Sequence, residues 1–236
     1  MSLFFNAILG SINGRVGITP QLLNASITDV NLVFDGDSLT LGTGATQTQD
    51  YPKKVYNDLT GVFKSLTYSS FGVGGQTIED MIVDDVTQIH SLIDTAKINI
   101  LVEWEDANAL GFIGEQTAQQ CFDSHVNYTQ RARDAGFDYI ILLTSHYLRK
   151  VDGVFPNNQS QKEALRHEFF ELVKNSAPAN YPWDYHIDLR NAENIGGAAG
   201  QEINYTYFDD FVHLTLSGYN IVASKVIIEI NKIFGL

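Results

Sequence analysis

Cysteine and positive charge are scarce in this sequence of 236 residues. Cys121 is the only cysteine, which excludes an internal disulfide and any zinc site built from four thiolates. Lysine and arginine number 15 against 28 aspartates and glutamates, and the resulting formal charge of −13 argues against binding to nucleic acid. No hydrophobic run is long enough to cross a bilayer, which predicts a chain without a membrane span. The remainder, 44% hydrophobic and 18% charged, is typical of a globular domain.

Residues 1–29 are interpreted as a lead-in segment to a domain that spans residues 30–236. Leu3–Ile12 is mildly hydrophobic, but no basic residue precedes it and no clear small-residue cleavage site follows, which argues against a secretory signal. Two locations stay open, the cytoplasm and a virus-like or extracellular assembly. In the second case the segment would attach the domain to the larger particle. The sequence indicates no oligomeric state.

Hydrophobic segments alternate with amphipathic ones along residues 30–236, the pattern of a parallel sheet covered by helices. Three of the strand candidates are rich in valine, isoleucine and leucine, as expected of strands that are buried on both faces. The predicted strands are Val30–Phe34, Ser65–Ser69, Ile98–Trp104, Tyr139–Thr144 and Tyr185–Asp188. The predicted helices are Tyr51–Phe63, Thr77–Ile93, Ala118–Ala135, Ser160–Asn175 and Leu216–Phe234.

A candidate nucleophile follows the first predicted strand. The sequence Gly36-Asp37-Ser38-Leu39 places the serine in a tight turn at the carboxyl end of that strand, where open α/β sheets bind their ligands. N–H groups of a nearby helix start would stabilise an oxyanion there. A plain turn is the alternative, since glycine, aspartate and serine all form turns. Thr40 stands where the nucleophile turn of α/β-hydrolases has a second glycine.

A serine nucleophile needs a base, and His213 is the best-placed candidate among six histidines. Asp210 precedes it by three residues, so its carboxylate could accept a hydrogen bond from Nδ1 and leave Nε2 facing a serine. Asp209 is the competing carboxylate, and a helix-start aspartate near a chance histidine would explain the pair taken alone. The other histidines are interpreted as solvated helix residues (His90, His125, His167), a residue at the pocket rim (His146) and a structural strand residue (His186).

These motifs occur in an order and at a spacing that resemble the SGNH (GDSL) hydrolase family, from Val30 to the C-terminus. Members of that family are three-layer α/β/α sandwiches with a flavodoxin-like parallel sheet, so the resemblance implies this fold, here with five strands. It also implies a serine esterase that works without a cofactor or metal, and no histidine, cysteine and carboxylate cluster has zinc spacing. The matching segments are Gly36-Asp37-Ser38-Leu39, Gly72-Val73-Gly74-Gly75-Gln76-Thr77, Asn108, Asp210-Phe211-Val212-His213-Leu214-Thr215 and Gly218-Tyr219.

The resemblance assigns roles to five residues. Ser38 would be the nucleophile, His213 the base and Asp210 the group that orients the base. The oxyanion hole would consist of the backbone N–H groups of Ser38 and Gly75 and the side-chain amide of Asn108. Such donors stabilise the charge that develops on an attacked carbonyl oxygen.

One block departs from the family pattern. The usual Gly-x-Asn-Asp reads Asp106-Ala107-Asn108-Ala109, so a side chain stands where the turn has glycine. Asn108 as a loop residue bonded to local backbone is the alternative interpretation. Glu103 and Glu105 nearby are expected to edge the pocket or to be solvated, without a catalytic role.

Three functions stay open. The ordered motifs favour a serine esterase for short acyl chains, such as O-acetyl groups on carbohydrate. Asp35-Gly36-Asp37 also resembles the start of haloacid-dehalogenase phosphatases, in which Asp35 would be the nucleophile beside Mg²⁺, although Leu39 stands in place of that family's threonine. The altered block around Asn108 suggests a non-catalytic binding or structural module.

Short inserts between motifs predict a shallow pocket, for which Arg149 is a candidate source of positive charge.

Overall fold

The computed structural model describes residues 24–45, 50–156, 159–177 and 180–236. It also gives the backbone of two short antiparallel strands, Ser11–Ile12 and Arg15–Val16. The predicted lead-in and attachment role of residues 1–29 falls largely outside these ranges and stays a prediction.

A parallel sheet of five strands forms the centre of the domain, in the side-by-side order β2-β1-β3-β4-β5. This is the flavodoxin-like order, in which the chain reverses direction across the sheet beside β1. All five predicted strands are confirmed. The first two extend further than predicted, because Asp35 pairs with Phe71 and Gly36 with Gly72. The strands are β1 (Asp29–Gly36), β2 (Ser65–Gly72), β3 (Ile98–Trp104), β4 (Tyr139–Thr144) and β5 (Tyr185–Asp188).

Six α-helices lie in the described ranges, two of them with the predicted bounds. The predicted helix Tyr51–Phe63 ends early, because Thr60 is extended and Gly61 has a φ of 87°. The predicted helix Thr77–Ile93 ends at Gln88 and is followed by a 3₁₀ turn. The helices are α1 (Ser38–Leu41), α2 (Tyr51–Leu59), α3 (Ile78–Gln88), α4 (Ala118–Ala135), α5 (Ser160–Lys174) and α6 (Leu216–Phe234). Shorter turns are Ala25–Ile27, His90–Leu92 and a π-helix at Asn108–Phe112.

Two hydrophobic clusters pack on the two faces of the sheet. Side chains alternate along a strand, so Leu32 and Phe34 of β1 pack with α2 and α6, whereas Val33 packs with α3, α4 and α5. This confirms the three-layer α/β/α sandwich. Among the described helices, none is both long and hydrophobic enough to cross a membrane.

Candidate active site

Ser38, His213 and Asp210 meet at the carboxyl edge of the sheet. The Ser38 hydroxyl lies 2.9 Å from His213 Nε2, although 175 positions separate the two residues in the sequence. The other ring nitrogen, Nδ1, lies 2.7 Å from Asp210 Oδ2. Because the carboxylate accepts a hydrogen bond from Nδ1–H, Nε2 is left as the acceptor of the serine proton.

The turn after β1 fixes Ser38 by short-range contacts. Asp37 caps α1, since its Oδ1 accepts a hydrogen bond of 2.7 Å from the Leu39 N–H. Gly36 has a φ of 154°, and a Cβ atom there would collide with the Trp104 carbonyl oxygen and with the Thr40 hydroxyl. The glycine thus allows β3 to approach closely and directs the chain into α1.

The loop before α6 holds Asp210 as an anion. Its Oδ1 accepts hydrogen bonds from the backbone N–H groups of Val212 (2.8 Å) and His213 (2.6 Å). Partial burial raises the pKa of Asp210, but the hydrogen bonds from the His213 ring and from these two N–H groups outweigh it and lower the pKa to about 2. The carboxylate is therefore ionised when it orients His213.

Asn108 and Gly75 reach the same cavity as Ser38. Asn108 begins the π-helix, and its Nδ2 donates to the Gln76 carbonyl oxygen (2.9 Å) and to Asp37 Oδ2 (3.2 Å). The amide is thus bonded to nearby backbone, as the alternative interpretation expects, and it also lines the cavity of the nucleophile, so its oxyanion role stays a prediction. An oxyanion near Ser38 would compete for the longer of these two hydrogen bonds.

Glu105 joins the two segments that carry Gly75 and Asn108. This carboxylate is fully buried: Oε2 accepts from the Ile78 N–H (3.0 Å), and Oε1 accepts from the N–H groups of Asn108 (2.9 Å) and Ala109 (3.1 Å). Burial, with the neighbouring acidic side chains, raises its pKa well above the usual value. The prediction that Glu105 is solvated or edges the pocket is wrong, because the N–H groups at two helix starts need a buried acceptor.

Asp106, at the position where the resembled family pattern has glycine, holds the same block in place. Its Oδ2 accepts a hydrogen bond of 2.8 Å from the Ser145 N–H, just beyond the end of β4. Among the described non-glycine residues, only Asp152 and Asn194 have a positive φ. The turn at Asp106 therefore does not need glycine's conformational freedom.

Three more charged or ionisable side chains differ from their predicted surroundings. Glu103 and His125 are fully buried instead of solvated, and they form a pair in which His125 Nδ1 lies 3.2 Å from the carboxylate. His146 is also fully buried, so its predicted place at the pocket rim is wrong, and burial together with nearby Arg166 lowers its pKa to about 3. His167 is exposed as predicted. His186 accepts or donates a hydrogen bond of 2.9 Å with the Thr144 hydroxyl.

The cavity at Ser38 has a volume of about 310 Å³. Two aromatic side chains that sequence reasoning missed, Phe112 and Phe211, lie on its wall with ring centroids 5.7 Å apart. Phe211 lies within the matching segment around His213 but has no assigned role there, Phe112 lies in no motif, and only the fold brings the two together. Arg149 does not line this cavity, contrary to the prediction, because its guanidinium donates to the carbonyl oxygens of Ile195 and Gly196.

No family model and no curated protein matches the sequence. Solved structures do match. A member of the lipolytic protein G-D-S-L family from Veillonella parvula aligns at a TM-score of 0.62 and 17% identity, covering 84% of this chain and 96% of its own. A putative acylhydrolase from Bacteroides fragilis aligns at 0.64 and 21%, covering 86% and 88%. An acetylxylan esterase from Geobacillus stearothermophilus aligns at 0.65 and 15%, covering 88% and 96%.

The chain has the SGNH hydrolase fold. Within this fold, Asp35, the nucleophile of the phosphatase alternative, points away from the cavity region. It is fully buried, with Oδ1 accepting a 2.9 Å hydrogen bond from the Gly36 N–H and Oδ2 accepting one from the Tyr128 hydroxyl. Ser38 lines the cavity, whereas Asp35 is not among its lining residues.

Proposed function

We propose that this protein is a serine esterase that hydrolyses carboxylic esters with short acyl chains, with O-acetyl groups on carbohydrate as its substrates. One observation carries the proposal. The Ser38 hydroxyl, the His213 ring and the Asp210 carboxylate form a continuous hydrogen-bonded chain, with distances of 2.9 and 2.7 Å, at the wall of a cavity.

The reaction begins when His213 Nε2 takes the proton of Ser38 and the oxygen Oγ attacks the ester carbonyl carbon. Asp210 stabilises the imidazolium that forms. When the tetrahedral intermediate collapses, His213 gives its proton to the leaving alcohol, and the acyl group stays on Ser38. A water molecule, deprotonated by the same ring, then attacks this acyl-enzyme and releases the carboxylic acid.

The negative charge on the attacked oxygen would be met by three donors, the N–H groups of Ser38 and Gly75 and the amide of Asn108. One such donor is worth roughly 3 kcal/mol of transition-state stabilisation in comparable enzymes. Glu105 supports two of these donors, Gly75 and Asn108, because its hydrogen bonds fix the start of α3, which follows Gly75, and the start of the π-helix at Asn108. Its role is to position them and not to touch the substrate.

The cavity and the neighbouring structures support the substrate class. A cavity of about 310 Å³ walled by Phe112 and Phe211 suits a short acyl group better than a long chain. The similar structures include an acetylxylan esterase and a putative acylhydrolase. The formal charge of −13 disfavours strongly anionic esters.

The test is hydrolysis of 4-nitrophenyl esters from acetate to octanoate, together with acetylated xylo-oligosaccharides. The rate should fall as the acyl chain lengthens, and Ser38→Ala should reduce kcat by at least about 10³-fold. Ser224→Ala, at an exposed position on α6, is the matched control and should keep full activity. Equal rates for wild type and Ser38→Ala would refute the proposal, and no turnover of any ester by wild type would favour the non-catalytic alternative.

A further inference from the structure

A second cavity, which the proposed reaction does not use, lies beside the first. It has a volume of about 600 Å³, within the range of ligand-binding cavities. Its wall comes from the segments that follow β4 and β5 and from the segment that leads to Asp210. Its lining side chains include Arg149, Glu193, Asn194, Gln201, Glu202 and Phe208.

The two cavities share a wall. Phe208 lines the second cavity, whereas Asp210 and Phe211 line the first. The Arg149 N–H donates to the Phe211 carbonyl oxygen at 3.0 Å, which ties the two walls together. The first cavity is lined by segments that follow β1 and β3 and the second by segments that follow β4 and β5, so both lie along the same carboxyl edge of the sheet, across which β1 and β5 are about 14 Å apart. One extended ligand can therefore occupy both.

Several contacts hold the base of the second cavity in place. Arg149 is only 3% exposed, and it donates to Gln201 Oε1 (3.0 Å) and to two backbone carbonyl oxygens while its guanidinium stacks over Phe208 at 4.7 Å. Gly196 lets the loop close against this base, since a Cβ atom there would lie within 2.6 Å of backbone atoms of Arg190 and Ala192. The Arg149 hydrogen bonds thus go to neutral oxygens, and its buried Nε has no partner among the described residues.

The cavity wall presents three solvent-exposed polar side chains that no group in the described ranges engages, so they are free to bind a ligand. The side chains of Glu193, Asn194 and Glu202 line the cavity, and none of them has a hydrogen bond or ion pair with the described residues. Two carboxylates accept hydrogen bonds, and one amide both donates and accepts. These are the groups that pair with ligand hydroxyls.

The same lining excludes other ligand classes. Two carboxylates oppose the single guanidinium of Arg149, in a protein of formal charge −13, so phosphates and acidic sugars would be repelled. The hydrophobic residues of the wall are Ala192 and Phe208, and the Arg149 guanidinium lies over the Phe208 ring. A neutral polyhydroxyl ligand fits what remains.

We propose that this second cavity binds a neutral sugar unit in the alcohol portion of the ester, while Ser38 acts on the acyl group in the first cavity. This inference rests on the proposed function and deepens it. Binding in the second cavity would contribute to the affinity for an oligosaccharide ester and would contribute nothing to a small aryl ester.

The experiment compares wild type, Glu193→Ala/Glu202→Ala and Asn194→Gly, with Glu168→Ala on the exposed face of α5 as the matched control. Glycine at position 194 tolerates the φ of 66° while removing the amide. We expect both cavity variants to raise KM for acetylated xylo-oligosaccharides at least fivefold, with kcat and 4-nitrophenyl acetate kinetics within twofold of wild type. Unchanged KM for the oligosaccharide, or an equal loss on the aryl ester, would overturn the inference.

A binding measurement separates this inference from the proposed function. Calorimetry with deacetylated xylotetraose should show binding to Ser38→Ala and a loss of that binding when Glu193→Ala/Glu202→Ala is added. No binding to Ser38→Ala would overturn the inference even if the protein hydrolyses aryl acetates. Conversely, a protein that hydrolyses no ester but binds xylotetraose through these residues would retain the sugar site and lose the esterase proposal.

Discussion

The turn that carries Ser38 and the block that carries Asn108 follow neighbouring strands, β1 and β3, yet they hold their functional side chains differently. Ser38 is fixed by its chain neighbours, with Gly36 in the turn and Asp37 at the helix cap. Asn108 is fixed by Glu105 and Asp106, which reach α3 and the end of β4. The position of Ser38 can therefore be recognised from a sequence motif. The position of Asn108 depends on contacts between distant residues, which no motif indicates.

The largest expected effect on activity comes from removing His213, the residue that contacts the hydroxyl of the locally held Ser38. His213→Gln removes the proton acceptor of Ser38 and should lower kcat by at least about 10⁴-fold, since a serine without its base is a weak nucleophile. The thermal midpoint should change little, because the ring is partly exposed. His167→Gln, at an exposed position on α5, should leave both quantities unchanged. A variant at position 213 that keeps one tenth of wild-type kcat would contradict the assignment.

A smaller effect is expected from the block held across the fold. Glu105→Gln keeps the shape of the side chain but replaces one acceptor oxygen with an NH₂ group, which cannot accept from both helix starts. We expect kcat to fall about 10- to 100-fold with KM within about twofold, because the donors of the oxyanion hole act in the transition state.

Two comparisons sharpen the Glu105 test. Glu115→Gln, at an exposed position shortly after the π-helix, should retain full kcat. Glu105→Ala leaves three buried N–H groups without an acceptor and should also destabilise the fold, by about 3 kcal/mol. If Glu105→Gln changes only stability and spares kcat, Glu105 is structural and does not position the oxyanion donors.

The smallest effect concerns acid stability. Folding lowers the Asp210 pKa from 3.8 to about 2, so its contribution to stability is present above pH 4 and is lost as the pH falls through 2. The free energies of unfolding of wild type and Asp210→Asn, measured in urea, should therefore differ most above pH 4 and become equal near pH 2. The exposed Asp134→Asn serves as the matched surface control. A difference in the free energy of unfolding that grows as the pH falls would contradict this prediction.

The elements that sequence predicted well are those whose signal is local. Strand β3 and helices α4 and α6 match their predicted bounds, because hydrophobic periodicity marks each of them. Asp210 and His213 are three residues apart, so their contact was also predictable.

The wrong predictions concern charged groups with distant partners. Glu103 was expected to edge the pocket or to be solvated, but it is buried and His125, 22 residues later, pairs with it, which offsets the cost of burying the charge. Glu105 accepts from Ile78, 27 residues earlier, and Arg149 donates to a loop 46 residues later. Such burial becomes favourable only once the fold has brought the partners together.

The central claim is that Ser38 is an activated nucleophile, and covalent labelling tests it most directly. The protein would be treated with diethyl 4-nitrophenyl phosphate, which reacts with activated serines, and the modified peptide would be located by mass spectrometry. We predict one diethylphosphoryl group on Ser38, absent in Ser38→Ala and strongly slowed in His213→Gln. An unmodified Ser38 in the wild-type protein, or labelling that persists unchanged in Ser38→Ala, would contradict the account.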